Sequence, residues 1–272
     1  MTSTMIAVEG GAVWADDSGG DGDRPPLVLL HPGVGDSRIW EPVLAPLTER
    51  YRVIRYDARG YGNSPAASVE FSLLDDLEAV LGHYGVQRMA IVGCSQGGAT
   101  ALGLALAQPE RVAAIVLLCP GIPGFPMSDE EEAAMIGPER YAEIEADWVS
   151  AAKNKDVDAL AGVIASIWGA GAGGSTPAVL EQFRSSARAS LFNADEKADP
   201  PVFDRLGEIA VPTSLLVGDA DWPPLVEANR QAAERIPGCE YTLVPGLDHV
   251  PPLRVPELVL DTITRTLARA GW

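Results

Sequence analysis

The chain is poor in sulfur and imidazole, with three cysteines (Cys94, Cys119, Cys239) and three histidines (His31, His83, His249) in 272 residues. No two cysteines have the C-x-x-C spacing of a zinc or redox site, and an odd number does not suit a disulfide framework. No histidine cluster offers a metal its usual ligands. The sequence therefore requires no metal, no disulfide and no redox cofactor. Basic residues are scarce as well: 20 Lys and Arg against 38 Asp and Glu leave a formal net charge of -18. Such a balance repels phosphate backbones and anionic membrane surfaces, so no nucleic-acid partner is expected. No apolar run approaches the roughly 20 residues of a membrane span. The start, MTSTMIAVEGGAVW, lacks the basic opening and apolar stretch of a signal peptide. The expectation is a soluble, cytoplasmic protein without a membrane partner.

What is present is a large apolar fraction, 47% of residues, enough for a sizeable core. It is arranged as short Val-, Ile- and Leu-rich runs alternating with amphipathic segments, the pattern of βαβ units and a mostly parallel sheet. Buried strands are expected at 26–31, 51–57, 88–93, 112–119, 212–218 and 239–244, with helices near 38–50, 72–84, 96–108, 223–236 and 255–270. Ahead of them, MIAVEG and GAVWAD meet at Gly10-Gly11 as an antiparallel edge hairpin, and DDSGGDGD (16–23) reads as a surface loop. About 90 residues separate the strand ending near Cys119 from the one starting near Pro212, too many for a simple connection. They hold helical patterns of their own. Ser128 to Glu131 forms a capping-box pattern, and Thr176 with Pro177 starts another helix. GAGAGGSTP (169–177) reads as a flexible joint, with 169–174 as a hinge. The expected organisation is a core of residues 1–120 and 212–272 with a helical cap, 121–211, inserted into it.

The most informative stretch is VGCSQGGAT (92–100). G-C-S-Q-G matches G-x-S-x-G at a strand-to-helix junction, the context in which that motif acts as a nucleophile elbow. The turn strains Ser95 and projects its hydroxyl over the carboxyl edge of the sheet. Gly93 and Gly97 avoid collisions there, and the following helix offers N–H groups and a partial positive charge.

A serine hydroxyl needs a base. His83 falls within a helix, and His31 ends the first central strand, where it shapes the loop by hydrogen bonds. His249, in PGLDHVPP after the last strand, is left as the base. The acid should follow the strand LLVG, where GDADWPP offers Asp219 and Asp221. Asp221 lies far enough past the strand to reach back to the imidazole, and Asp219 suits a turn. Asp57 and Arg59 are read as an ion pair bracing a loop, and Cys94 as packing.

The order Ser95, Asp221, His249 resembles that of the α/β-hydrolase superfamily. HPGVGDSRIW (31–40) and YDARGYGNS (56–64) look like its oxyanion loop and its D-x-R-G-x-G-x-S segment. The resemblance covers essentially the whole chain and is nearest to small esterases, enol-lactonases of the 3-oxoadipate type and cofactor-free haloperoxidase-like hydrolases. It implies an eight-stranded, mostly parallel sheet with helices on both faces, and a Ser-His-Asp hydrolase that needs no cofactor. The expected substrate is a small-molecule ester or lactone. Because Pro32 has no N–H, the oxyanion donors fall to Gly33 (or Val34) and Gln96. Val34, Phe125, Trp148, Trp168, Phe183 and Trp222 are the expected pocket walls. Ser95 argues against relatives that use an aspartate nucleophile. A carbon–carbon bond hydrolase and a non-catalytic small-molecule binder stay open as alternatives.

Overall fold

The computed structural model describes residues 1–19, 22 and 24–272, so Gly20, Asp21 and Asp23 of the expected surface loop lie outside the described residues. Among the described residues the strands are β1 (Thr2–Val8), β2 (Gly11–Asp17), β3 (Pro26–Leu30), β4 (Arg52–Asp57), β5 (Met89–Cys94), β6 (Val112–Leu118), β7 (Thr213–Gly218) and β8 (Glu240–Val244). They form one sheet in the order β1-β2-β4-β3-β5-β6-β7-β8. The β1–β2 hairpin turns at Gly10, whose φ is 69°, and β2 pairs antiparallel with β4. All other neighbours run parallel. The central strands β5, β6 and β7 are buried at every position, as their unbroken apolar runs require.

The helices are α1 (Glu41–Arg50), α2 (Leu73–His83), α3 (Gln96–Ala107), α4 (Asp129–Ile136), α5 (Pro138–Asn154), α6 (Val157–Trp168), α7 (Pro177–Phe192), α8 (Pro223–Arg235), α9 (Pro251–Arg254) and α10 (Pro256–Arg269). The helical pattern at 38–50 divides, because Pro42 favours the first turn of α1 and Ser37–Trp40 winds as a 3-10 turn capped by Asp36. The chain leaves β3 toward β4 on one side and later moves from β4 past β3 to β5 on the other. Right-handed crossovers then place α1 on one face and α2, α3 and α8 on the opposite face. α10 packs against α1, and α2 against α3. Where the two directions part, beside the carboxyl ends of β3 and β5, such a sheet opens a crevice.

Helices α4 to α7 all lie between β6 and β7. Both hydrogen bonds of the Ser128–Glu131 capping box form, and Thr176 caps α7. Val179, Phe183 and Ala187 of α7 and Leu160 and Ile164 of α6 join the same hydrophobic cluster as the sheet. The expected hinge is not a free joint. The Gly171 N–H donates to Asp248 Oδ2 at 3.2 Å and the Ala172 N–H to the Gly246 carbonyl at 3.2 Å, so polar backbone that glycine leaves open to solvent is instead paired.

Candidate active site

Ser95 stands between β5 and α3 with φ 49° and ψ -115°, outside the regions a side chain prefers. Holding a non-glycine residue there costs on the order of 1–3 kcal/mol, and the surroundings enforce it. The Ser95 N–H donates to the Leu118 carbonyl at 2.9 Å, and its own carbonyl accepts from Gly98, Ala99 and Gly121. A Cβ on Gly93 would strike the Gly97 carbonyl. One on Gly97 would strike the carbonyls of Leu30 and His31, so the turn is pressed against the end of β3 as well as against itself.

Asp221, three residues beyond Gly218 at the end of β7, and His249, in the loop after β8, meet at the same edge. His249 Nδ1 lies 3.0 and 2.8 Å from the two Asp221 oxygens, and both side chains are fully buried. The Trp222 N–H donates to Asp221 Oδ1 at 2.7 Å, which fixes the carboxylate from its other side. A carboxylate on Nδ1 selects the tautomer with its proton there and leaves Nε2 as the basic nitrogen. Nε2 is buried and has no hydrogen-bond partner among the described residues. Asp219 instead accepts the Gly246 N–H at 2.6 Å and holds the loop that carries His249.

The other histidines take structural places. His31 Nε2 accepts the Ala58 N–H at 2.9 Å and Nδ1 lies 2.8 Å from the Pro32 carbonyl, which shapes the loop after β3. His83 is exposed at the end of α2. The Gly33 carbonyl accepts the Tyr61 hydroxyl at 3.1 Å and the Ser186 hydroxyl at 2.7 Å. A Cβ on Gly33 would come 3.1 Å from Gln96 Oε1, so Gly33 and Gln96 stand side by side. Neither of their N–H groups donates a hydrogen bond among the described residues. The Gln96 amide donates to both oxygens of Glu196, at 3.1 and 2.8 Å. Much of Glu196 meets solvent, yet its carboxylate is tucked in beside Gln96. Burial, with Asp199 adding to it, pushes that carboxyl up to about 7.

Cys119, itself at φ 40°, aims its thiol at the His249 carbonyl 3.6 Å away and lies 3.7 Å from the Cys94 sulfur. The Cys119 thiol, Asp221 and His249 converge closely enough to suggest metal ligands. Their chemistry argues otherwise. Burial and then Cys94 push the thiol up, away from the thiolate a metal takes, and Asp221 is already committed to Nδ1.

Two expectations require correction. Asp57 and Arg59 do not pair. Asp57 instead accepts the N–H groups of Ser37, in the 3-10 turn before α1, and of Asn63, in its own loop, at 2.9 and 2.8 Å. Arg59 makes a two-pronged, buried pair with Asp76 on α2, at 2.8 and 2.7 Å. Nor do the six expected wall residues line one pocket. Phe183 and Val34 are buried in the main core, Phe183 on the face of α7 that packs against α6, and Phe125 packs edge-on against Phe203 at 5.1 Å. Trp148 and Trp222 share a cleft of 230 Å³ with Tyr141, Ile144 and Val149. Trp168 stacks on His249, with ring centroids 4.3 Å apart, and lies 6.0 Å from Trp222. The sequence reading passed over Glu196, and also Asp248, whose buried carboxylate holds Arg254 at 2.6 Å. Its place directly before His249 was the only available signal.

Residues 25–156 match the family model described as the alpha/beta hydrolase fold. A pimeloyl-[acyl-carrier protein] methyl ester esterase of Aeromonas hydrophila is 36% identical over 113 residues, which are 40% of this chain and 42% of that protein. The matched stretch thus spans about two fifths of that relative. Two solved structures match nearly end to end. One is Est816, described as an N-acyl homoserine lactone degrading enzyme, with TM-score 0.75, 24% identity, and coverage of 96% of this chain and 99% of that one. The other is the enol-lactonase of Burkholderia xenovorans LB400, with TM-score 0.71, 22% identity, and coverage of 97% and 100%. The sheet order, the serine turn between β5 and α3 and these likenesses agree: the chain has the α/β-hydrolase fold.

Proposed function

We propose that the chain hydrolyses a carboxylic ester or lactone of a small molecule through Ser95, His249 and Asp221. One observation carries the reading: a serine held at positive φ in the turn between β5 and α3, with a buried Asp221–His249 pair at the same sheet edge. In the first step Ser95 Oγ bonds to the substrate carbonyl carbon as its proton passes to His249 Nε2. The carbonyl oxygen becomes an oxyanion facing the N–H groups of Gly33 and Gln96. His249 then gives the proton to the leaving oxygen as the carbon–oxygen bond breaks, leaving an acyl-enzyme. Water, deprotonated by the same nitrogen, resolves it. Asp221 holds the imidazole and stabilises its cation without taking the proton. Residues 121–211 serve as a cap over the core of 1–120 and 212–272, and the cleft at Trp148 and Trp222 receives an apolar part of the substrate. The esterase and lactonase named above support this substrate class. No described helix is long and apolar enough to cross a membrane.

The test is turnover of graded p-nitrophenyl esters and simple lactones by wild type, Ser95→Ala and Asp221→Asn, with a fluorophosphonate probe alongside. Ser95→Ala should lose about 1000-fold or more in kcat/KM, and Asp221→Asn on the order of 10⁴-fold in kcat. A wild type that takes no probe and turns over nothing would overturn the reading in favour of a binding protein.

A further inference from the structure

The ring of Trp168 ends α6, in the stretch inserted between β6 and β7, yet its nearest aromatic neighbour is His249, in a loop of the other part of the chain. The two are joined twice. The indole lies against the imidazole at 4.3 Å with the planes inclined by 38°, and the His249 N–H donates to the Trp168 carbonyl at 3.2 Å. The residues on either side are tied as well. Asp248, which precedes His249, accepts the Gly171 N–H at 3.2 Å, and Ala172 donates to Gly246 at 3.2 Å. A Cβ at Gly171 would come within 2.8 Å of the Asp248 carboxylate, so only glycine allows this approach. A tryptophan placed merely to wall a pocket needs none of these connections.

We propose that Trp168 is a positioning residue for His249: its carbonyl and ring fix the imidazole, and its π face stabilises the imidazolium formed when Ser95 gives up its proton. The inference rests on the reading of His249 as the base. When the proton reaches Nε2, the new charge lies between two groups already in place, the Asp221 carboxylate at Nδ1 and the electron-rich indole face. An indole is the strongest of the natural aromatic partners for a cation, and its effect grows where water is excluded. His249 is fully buried, so little solvent competes. Because the attraction exists only for the charged ring, it lowers the barrier more than it strengthens the ground state.

The experiment compares wild type, Trp168→Phe and Trp168→Leu, with fluorinated tryptophans introduced at position 168 as variants that keep the indole's shape. Fluorophosphonate labelling rates, kcat and KM for a neutral ester, and Tm are measured for each. Trp168→Leu should label about tenfold more slowly and lose a similar factor in kcat, with KM changed less than about twofold. Trp168→Phe should recover most of the loss, and labelling should slow stepwise with each added fluorine while Tm stays constant. Fluorinated proteins that label as fast as wild type, or leucine and phenylalanine variants that fall equally, overturn the inference while the proposed hydrolysis stands. A wild type that neither labels nor turns over overturns both.

Discussion

Glu196 shows how a single carboxyl can tie the site to pH. Its side chain pairs with Gln96, the residue after the proposed nucleophile, and burial followed by Asp199 raises its proton affinity to a pKa of about 7. Asp76, held by Arg59, adds to the shift, and the Tyr56 and Tyr61 phenols lie near enough to feel its charge. A carboxyl raised on folding contributes stability that is complete below its ordinary value of 4.5 and is lost as pH rises through about 7. Glu196→Gln should therefore flatten the dependence of Tm on pH between about 5 and about 8, with its advantage over wild type growing toward the alkaline end. Parallel Tm curves for the two proteins would mean that the carboxylate is adequately solvated. Ser95, by contrast, was legible from sequence because its neighbours announce it. A glycine-flanked turn can follow an apolar strand for few reasons, and each glycine has a carbonyl that a Cβ would strike.

At the scale of elements, the loop after β4 is locked to α2 by one ion pair. The Arg59 and Asp76 side chains are 3% and 2% exposed, and Arg59 also lies 5.1 Å over the Phe71 ring. Removing one member leaves a buried charge uncompensated, which typically costs about 3–5 kcal/mol. Asp76→Ala should show that loss in urea unfolding, and Asp76→Leu with Arg59→Met should recover most of it. A loss under about 1 kcal/mol would mean that water reaches Arg59. The pair also marks where sequence reading stops. Most strands and helices were legible to within a residue or two, the starts of β1 and α1 being three residues off, because an apolar run or a capping serine acts on its own neighbours. Asp57 and Arg59 were misassigned because side-chain partners depend on where the chain turns next, and α2 brings Asp76 in from 17 positions away. Trp168 on His249 crosses a still longer interval, with no local pattern to record it.

Across the whole molecule the excess of acid sets a field. A net charge of -18 raises a barrier to anions approaching any crevice in this surface, and Glu196, ionising near pH 7, adds to it beside Gln96 as pH rises. Substrates bearing a carboxylate should be taken up slowly at low salt. Raising sodium chloride from about 20 to about 500 mM should increase kcat/KM for an anionic ester several-fold, while its neutral isostere changes less than twofold. Equal responses would mean that the field does not reach the site.

The backbone ties between 168–172 and 246–249 bear on how such a chain can be recombined. Exchanging residues 121–211 for the corresponding stretch of a relative would replace the ring and the carbonyl that hold His249, as well as every wall of the cleft except Trp222. A graft that changes specificity without loss of rate must carry the loop at 245–250 with it, so the exchangeable unit is two separated pieces of chain, chosen together.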